Sequence, residues 1–329
     1  MLNKLLLNIS LRAVFVALVF GFVGCANQAA SNTFTQTSKV DETLPNVVAT
    51  TSVLCDLIKQ VAENTVNLSC LIPPGTNPYS YEPTPSDRQA IEQANLIFYN
   101  GYNFEPNLIK IIKSTNNNAP KIAVAQVAVP KPQRFIENRQ KVIDPHVWHN
   151  AKNGITMVDI ISKNLNQLVP NNADIYKNNT KQINNELTQL DSWIKTRIAT
   201  IPNEKRKLIT SHNALAYYAK AYSIPLLGVV AGVNRENNLT NTQLNNLVKN
   251  LRKTEIPTIF TETTNNSQLI QSVAQAAEVK VSERGLYTDG LGEPKSDGDT
   301  YQKMLEANTR TIVEGLGGTY LIFQPQVSN

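Results

Sequence analysis

Residues 46–72 read NVVATTSVLCDLIKQVAENTVNLSCLI, and this stretch carries the main evidence for the fold. A short β-rich run, NVVATT, is followed by a longer helical run, VLCDLIKQVAE, and then by a second β-rich run, VNLSCLI. The order strand, helix, strand is the unit from which parallel sheets are built. We therefore expect an α/β protein whose sheets are mostly parallel and are covered by helices on both faces.

The same alternation continues through the first half of the chain. Beyond residue 72 the sequence predicts, in order, a helix at 86–94, a strand at 95–100, a helix at 106–114, a strand at 121–125, a polar loop at 131–144 and a helix at 154–168. This succession indicates one layered unit with a parallel sheet. We assign residues 46–170 to an N-terminal lobe.

A longer helical pattern interrupts this rhythm at 173–200. Apolar residues recur there at intervals of three or four, beginning at Ile175 and continuing through Ile183, Leu187 and Leu190. The spacing predicts one amphipathic helix of roughly 40 Å. We expect it to be a stiff connector at 171–201; the alternative is an ordinary core helix broken in its middle.

The remaining residues, 202–329, return to alternating strands and helices. Predicted strands lie at 207–212, 224–230, 256–262, 280–282 and 319–323, with helices at 214–222, 241–253, 268–278 and 300–314. A mature region of about 300 residues exceeds the usual size of a single hydrophobic core. The sequence therefore predicts two lobes, and 202–329 forms the C-terminal lobe.

The first 24 residues have the pattern of a bacterial lipoprotein signal peptide. Lys4 and Arg12 precede an apolar stretch, Ala13 to Val23, that is too short to span a bilayer comfortably. The stretch ends at Gly24 and Cys25, a form at which lipoproteins are cleaved and the new N-terminal cysteine is acylated. Ordinary cleavage and an uncleaved anchor are the alternatives, and each places the bulk of the chain outside the cytoplasm.

Residues 25–45 have the composition of a flexible tether. They are rich in Ala, Asn, Ser and Thr and contain almost no large apolar groups, so they cannot form a core. Acyl chains on Cys25 would bury many methylene groups in a membrane. We expect an exported protein, periplasmic or on the cell surface, that is anchored to a membrane by lipid.

The cysteine count is consistent with an oxidising compartment. Of three cysteines, assignment of Cys25 to the lipid leaves Cys55 and Cys70 as an even pair. A disulfide between them is one interpretation. Two buried thiols are the other, because geometry cannot be inferred from spacing.

The charge of the chain argues against nucleic acid as a partner. The formal net charge is +5, and loss of Lys4 and Arg12 with the signal peptide leaves +3. This charge is spread along a chain that has no long basic run, whereas nucleic-acid binding needs a concentrated basic patch.

Two of the three histidines occupy positions suited to a metal site. His146 lies in the sequence IDPHVW of the first lobe, His212 follows the predicted strand KLITS of the second, and Asp289 lies in GLYTDGLG after the predicted strand at 280–282. Ligand sites in α/β proteins form outside the carboxyl ends of strands, so we expect these side chains to converge. Imidazole and carboxylate suit divalent manganese, zinc or iron. Taken singly, each histidine fits a capping or core role equally well.

Four blocks of sequence resemble one known family. They are IPPGTNPYSYEPTPSD at 72–87, DPHVW at 144–148, SHNALAYYAKAY at 211–222 and YTDGLGEPKSDGDTYQKM at 287–304. In the same order they match blocks of the zinc- and manganese-binding solute-binding proteins of ABC importers, a family that includes adhesin-type lipoproteins. The resemblance implies two (β/α) lobes joined by a rigid helix, with one metal ion bound in the cleft by four protein ligands.

The resemblance places the four ligands at Tyr79, His146, His212 and Asp289. The first position departs from the family pattern, which has His where this chain has Tyr79 and Asp where it has Asn77. A phenol must lose a proton of pKa near 10 to bind a metal strongly. Three interpretations remain open: Tyr79 coordinates the ion, water completes a three-ligand site, or tight binding has been lost. We favour water, which is an ordinary fourth ligand of zinc.

The third position bears on the choice of metal. Family members that bind manganese commonly have Glu there and those that bind zinc have His, and this chain has His212. The loop at 131–143, however, lacks the His-rich insertion of many zinc-binding members. Zinc and manganese both remain candidates, with iron less favoured.

Four other polar residues lie close in sequence to the predicted ligands or strand ends. His149, three residues after His146, is interpreted as an exposed residue or as an imidazole supporting the ligands, the alternative being a direct approach to the ion. Glu262, at another strand end, is expected to orient a ligand histidine, or else to be a solvated cleft carboxylate. Asp297 and Asp299 are expected to cap the following helix, with Asp299 as the N-cap.

The sequence thus predicts a binding protein without enzymatic activity. Its expected partners are a divalent transition-metal ion and the permease of an ABC importer, and we expect it to act as a monomer. The main alternative is an adhesion or structural lipoprotein of the same fold with weakened metal binding. A metal-dependent hydrolase would require an open coordination position and a general base nearby, and the sequence offers no clear base.

Overall fold

The structure, a computed structural model, describes residues 43–137, 140–231, 240–253, 256–264 and 268–326. The predicted signal peptide, Cys25 and nearly all of the predicted tether lie outside the described residues, so export and acylation stay predictions. Among the described residues, no helix combines the length and the apolar character needed to cross a membrane.

The N-terminal lobe is built on a sheet of four parallel strands. The strands are β1 (Asn46–Ala49), β2 (Asn67–Cys70), β3 (Leu96–Tyr99) and β4 (Lys121–Ala123), in the order β2-β1-β3-β4. The accompanying helices are α1 (Ser52–Ala62), α2 (Pro85–Gln93), α3 (Pro106–Ser114) and α4 (Val124–Ala128). The parallel α/β arrangement predicted from the sequence is therefore confirmed.

Helix α1 packs its apolar face into the main core. The hydroxyl of Thr51 caps the helix by accepting a hydrogen bond from the Leu54 backbone N–H. Leu57 and Ile58 lie three and four residues after Leu54, and all three are fully buried. A disulfide joins Cys55 of α1 to Cys70 at the end of β2. The helix is thus held to the sheet both by packing and by a covalent bond.

The predicted polar loop at 131–144 contains a β-hairpin, so that prediction was wrong. Strands β5 (Arg134–Glu137) and β6 (Gln140–Ile143) pair in antiparallel fashion, with Phe135 opposite Val142. Each strand has only four residues, and its two apolar residues are adjacent rather than alternating, so the period of two that indicates a strand is absent from the sequence. The chain then enters α5 (Ala151–Leu168), whose first turn is capped by the Asn150 side chain.

The predicted connector is one unbroken helix, α6 (Ala173–Ala199), which packs against α5, α1 and the last helix of the chain. Ile183, Leu187 and Leu190 are buried as expected. At the start of the helix, however, Ile175 is exposed and its neighbour Tyr176 is buried instead. The Tyr176 hydroxyl contacts the Thr65 hydroxyl at 2.8 Å, so the larger ring both fills the core and finds a polar partner.

The C-terminal lobe is also built on parallel strands. Its elements are β7 (Leu208–His212), α7 (Ala216–Ala221), β8 (Leu226–Ala231), α8 (Asn241–Lys253), β9 (Thr258–Ile259), α9 (Gln268–Ala277), β10 (Lys280–Val281) and α10 (Tyr301–Gly315). Strand β7 pairs with β8 and β9 pairs with β10. A parallel bridge between Thr210 and Phe260 connects the two pairs. The carboxyl ends of β7 and β9 therefore meet at one edge.

Two predictions near the C-terminus were wrong. The segment predicted as a strand at 319–323 has no strand structure, because its carbonyls are bound by side chains of α6: Trp193 Nε1 donates to Leu321 O at 3.1 Å and Arg197 to Thr319 O at 3.1 Å. The N-cap of α10 is Thr300 rather than Asp299. Asp299 instead accepts a hydrogen bond from the backbone N–H of Lys295.

Specific polar contacts join the two lobes. The carboxylate of Asp56 on α1 accepts a hydrogen bond from the Tyr301 backbone N–H at 2.8 Å, and the Tyr301 hydroxyl donates to Trp148 O at 2.6 Å. The hydroxyl of Ser52 accepts from Leu291 N–H at 2.9 Å. A side chain at Gly154 of α5 would collide with the Tyr301 ring. The lobe boundaries at 46–170, 171–201 and 202–329 stay predictions.

The disulfide yields a test of stability. The double substitution Cys55→Ala/Cys70→Ala is expected to lower the free energy of unfolding by about 3 kcal/mol, because a crosslink closing a loop of this size restricts the unfolded chain. Urea denaturation followed by circular dichroism measures the change. A reducing agent should lower the midpoint of the wild-type protein and leave that of the double variant unchanged. Equal midpoints for the two oxidised proteins would contradict the expectation.

Candidate metal centre

The structure brings His146, His212 and Asp289 together. Asp289 Oδ1 lies 3.2 Å from His146 Nε2 and 3.1 Å from His212 Nε2, and the two imidazole rings are 5.7 Å apart between centroids. One potential donor atom from each residue lies within 4.8 Å of the others. The two histidines are fully buried and Asp289 is 2% exposed. Two imidazoles and a carboxylate are a donor set suited to zinc, manganese or iron.

The fold explains why these residues converge. His212 is the last residue of β7, and Asp289 follows a parallel bridge between Glu262 and Leu286 in the same lobe. His146 belongs to the other lobe and directly precedes a short 3₁₀ turn. Two strand ends of one lobe thus face a loop of the other, as ligand sites in α/β proteins generally do.

The carboxylate of Glu262 orients the imidazole of His212. Glu262 is buried, and its Oε1 accepts hydrogen bonds from His212 Nδ1 at 2.5 Å and from the His212 backbone N–H at 3.0 Å. The Ser211 hydroxyl donates to the same oxygen. A proton held on Nδ1 leaves Nε2 to face Asp289. Glu262 is thus a buried partner of His212 rather than a solvated cleft carboxylate, and its role behind a metal ligand stays a prediction.

A second carboxylate, missed in the sequence, orients the other imidazole. Asp144 is fully buried, and its Oδ1 accepts from His146 Nδ1 at 2.8 Å and from the His146 backbone N–H at 3.0 Å. Aspartate commonly accepts a hydrogen bond from the backbone two residues further on. The spacing Asp144-Pro145-His146 is therefore the signal that could have revealed it.

The buried carboxylates set the protonation of the two rings. Burial on its own lowers the pKa of a histidine. At His146 the hydrogen bonds to Asp144 and Asp289 outweigh burial and raise the pKa. At His212 the charges of Glu262 and Asp289 raise the pKa to about 9. A raised pKa favours the protonated ring, and an imidazole binds metal only through a deprotonated nitrogen, so protons compete with a metal ion at both histidines.

His149 lies beside the cluster but outside it, and its supporting role stays a prediction. The side chain is fully buried, so the interpretation of an exposed imidazole was wrong. Its Nε2 lies 2.7 Å from the carbonyl oxygen of Thr288, the residue before Asp289. Burial lowers the pKa of His149 to about 3, so the ring is neutral and donates this hydrogen bond through Nε2. His149 is thus directed at the backbone beside a candidate ligand.

Tyr79 lies at the side of the cluster, against an aromatic wall. It belongs to a short 3₁₀ helix, Pro78–Ser80. Asn77 caps this helix, and its Oδ1 accepts a 3.0 Å hydrogen bond from the Tyr79 backbone N–H. The ring packs edge-on against Phe104 at 5.1 Å and lies 6.2 Å from the ring of His146. Phe104, in turn, lies 5.4 Å from His146. Coordination by Tyr79 stays a prediction.

Asp297 and Asp299 take no part in the cluster. Asp297 accepts a hydrogen bond from the Tyr287 hydroxyl at 2.6 Å, and Asp299 binds Lys303 Nζ at 2.9 Å. The prediction that they cap α10 was wrong for both, because Thr300 is the N-cap of that helix.

Solved structures share this architecture. The periplasmic zinc-binding protein TroA from Treponema pallidum matches with a TM-score of 0.77 and 26% identity, over 83% of this chain and 99% of that one. A manganese-bound periplasmic metal-binding protein from Candidatus Liberibacter asiaticus matches with a TM-score of 0.72 and 26% identity, over 82% of this chain and 98% of that one. The two-lobed fold with a buried cluster between the lobes is that of a periplasmic solute-binding protein.

The family follows from the sequence comparison. The family described as zinc-uptake complex component A, periplasmic, matches residues 47–315, and the chain belongs to it. A metal ABC transporter substrate-binding lipoprotein, ScbA of Streptococcus cristatus, is 33% identical over 92% of this chain and 97% of its own length. A manganese ABC transporter substrate-binding lipoprotein, scaA of Streptococcus gordonii, is 34% identical over the same shares. The resemblance inferred from four sequence blocks is confirmed.

The carboxylate behind His212 provides a test of the site. Glu262→Gln is expected to weaken the binding of zinc or manganese by about 10- to 100-fold, because the imidazole loses the charge that orients it and raises its basicity. Isothermal titration calorimetry on the metal-free protein measures the change. Glu283→Gln removes an exposed carboxylate from the same lobe and serves as the control. Equal affinities for the two variants would show that Glu262 does not support a metal ligand.

Proposed function

We propose that this protein captures a divalent transition-metal ion, zinc or manganese, at His146, His212 and Asp289 and delivers it to an ABC importer. The observation that carries the proposal is the convergence of both Nε2 atoms on one oxygen of Asp289, with each Nδ1 held by a carboxylate. A carboxylate bound to the ring nitrogen that faces away from the metal is typical of histidines that bind metal. Membership of a family of metal-uptake components agrees with it.

Delivery to a permease is proposed from the relatives. Two that span almost the whole chain are described as substrate-binding lipoproteins of metal ABC transporters. We propose the same role for this chain, acting as a monomer that docks on a permease. Residues 1–24 are its signal peptide, Cys25 is acylated, and 25–45 is the tether that lets the two lobes reach the permease from the membrane surface.

The arrangement of the carboxylates favours binding over catalysis. A hydrolase would need a base free to take a proton from a metal-bound water. Asp144 and Glu262 each bind an imidazole Nδ1 instead. Burial of the cluster also disfavours access of a substrate larger than an ion. The proposed role is therefore capture and release without chemical conversion.

Zinc and manganese are the two candidates for the bound ion. A histidine at the third position, His212, favours zinc within the family resemblance, and the absence of a His-rich insertion at 131–143 favours manganese. Both ions accept two imidazoles and one carboxylate. Competition between the two ions is the direct way to choose between them.

The proposal is tested by metal binding to the chain without residues 1–25. We expect metal to copurify in a ratio near one, and zinc or manganese to bind the metal-free protein with a Kd tighter than about 1 μM, equivalent to roughly 8 kcal/mol. His212→Ala should weaken binding by more than roughly 100-fold, since a ligand is removed. Elemental analysis and calorimetry measure both. Binding weaker than about 1 μM for both ions would refute metal capture and favour the adhesion or structural alternative.

The fourth ligand has its own test at Tyr79, where we propose that water completes the coordination of a bound ion. Tyr79→Phe should then leave the metal affinity nearly unchanged, because no coordinating oxygen is removed. Tyr79→His should strengthen binding by adding a donor that suits the same ions. Calorimetric titration measures both variants, and Tyr81→Phe, which removes a hydroxyl bound to Asp87, is the matched control. A large loss of affinity in Tyr79→Phe alone would assign the fourth position to the phenol.

A further inference from the structure

A large cavity lies directly beside the candidate metal centre, on the N-terminal lobe. Its volume is about 780 Å³, and the β5–β6 hairpin and helix α3 form much of its wall. Tyr79 and Pro145 line it as well. Pro145 is bonded to His146, and the Tyr79 ring lies 6.2 Å from the His146 ring. One wall of the cavity is therefore shared with the metal centre.

The cavity has an unusual combination of aromatic and cationic walls. Three tyrosine rings line it, together with the cations Lys113, Arg134 and Lys141. No carboxylate is among its described lining residues, and the ion pairs found among the described side chains do not include these three cations. Positive charges that converge without compensation attract an anion.

A cavity of the C-terminal lobe differs from this one because carboxylates line it together with cations. That cavity, of about 410 Å³, is also lined by cations, among them Lys205, Lys280 and Arg284. Carboxylates line it too, and one of them, Glu314, pairs with Arg284. One of its cations is therefore paired within the protein, whereas among the described side chains no ion pair involves Lys113, Arg134 or Lys141.

The backbone under the first cavity is held in an unfavourable conformation. Gly101, Tyr102 and Asn103 have φ angles of +88°, +54° and +59°. Left-handed geometry costs a non-glycine residue roughly 1 kcal/mol, and such strain is commonly retained at ligand sites. The turn places Tyr102 and Asn103 on the cavity wall, and the Tyr102 hydroxyl is anchored to Val129 O at 2.5 Å. The position of these side chains is thus maintained at a cost.

We propose that this cavity binds a small organic anion, a polycarboxylate or catecholate chelator, and that the protein accepts its metal ion together with this molecule. Aromatic faces suit planar groups, and Arg134 with Lys141 suits carboxylate or catecholate oxygens. The bound anion contacts Tyr79 and Pro145, the lining residues nearest to His146, and its negative charge offsets that of the ion in the adjacent buried site. The proposal rests on the proposed function of metal capture.

The test uses citrate and 2,3-dihydroxybenzoate as probes. Each is titrated calorimetrically into the mature chain, first metal-free and then loaded with zinc or manganese. We expect each probe to bind the loaded protein at least about tenfold more tightly than the metal-free protein, with the metal remaining on the protein after gel filtration. Arg134→Gln/Lys141→Gln should weaken probe binding to the loaded protein about tenfold and leave the affinity for the metal alone unchanged.

Controls separate the possible failures. Lys205→Gln/Lys280→Gln removes the same charge from the other cavity and should bind both probes as the wild type does. Thermal unfolding of each variant checks that the fold is intact. Probes that only strip the metal, or that bind the Arg134→Gln/Lys141→Gln variant as tightly as the wild type, would overturn the inference alone. Failure of zinc and manganese to bind without a probe would instead overturn the proposed function.

Discussion

Two buried carboxylates, each holding the Nδ1 atom of one histidine, are the constraint on which the site depends. Asp144 binds His146 and Glu262 binds His212, so both rings present Nε2 to the same oxygen of Asp289. Without these contacts a buried imidazole would be neutral and free to turn. With them the cluster holds protons in the absence of an ion, and protons are what a divalent cation can replace. Orientation and charge are therefore supplied by the same two groups.

The rest of the fold keeps these groups in place across two lobes. His212 and Glu262 are positioned by neighbouring parallel strands of one lobe, whereas Asp144 and His146 come from a loop of the other. The contacts of Tyr301 with Asp56 and Trp148 join the lobes near the start of α10. Helix α6 runs unbroken between the lobes and packs on α5, α1 and α10. This frame holds candidate ligands from both lobes around one site.

The sequence predicted the parts of this arrangement that depend on local periodicity. Alternating strands and helices, the long connector and the convergence of His146, His212 and Asp289 follow from hydrophobic spacing and from the position of strand ends. Tertiary contacts decided the rest. The short strands of the β5–β6 hairpin lack an alternating pattern that would have predicted them. Tyr176 displaced Ile175 because its hydroxyl has a partner, and 319–323 binds α6 rather than a sheet. The spacing Asp144-Pro145-His146 signals the contact of Asp144 with the His146 backbone N–H, but the second contact, with His146 Nδ1, depends on the tertiary placement of the ring.

The contact of His149 with Thr288 has a mechanical consequence. It ties a residue of the N-terminal lobe to the backbone immediately before Asp289, in the C-terminal lobe. Any movement that draws the lobes apart at this point also pulls Asp289 away from His146, so opening would separate two of the proposed metal ligands. The strength of ion binding and the closure of the cleft are therefore coupled. A permease that opens the cleft would also weaken the binding of the ion, so release would require no second event.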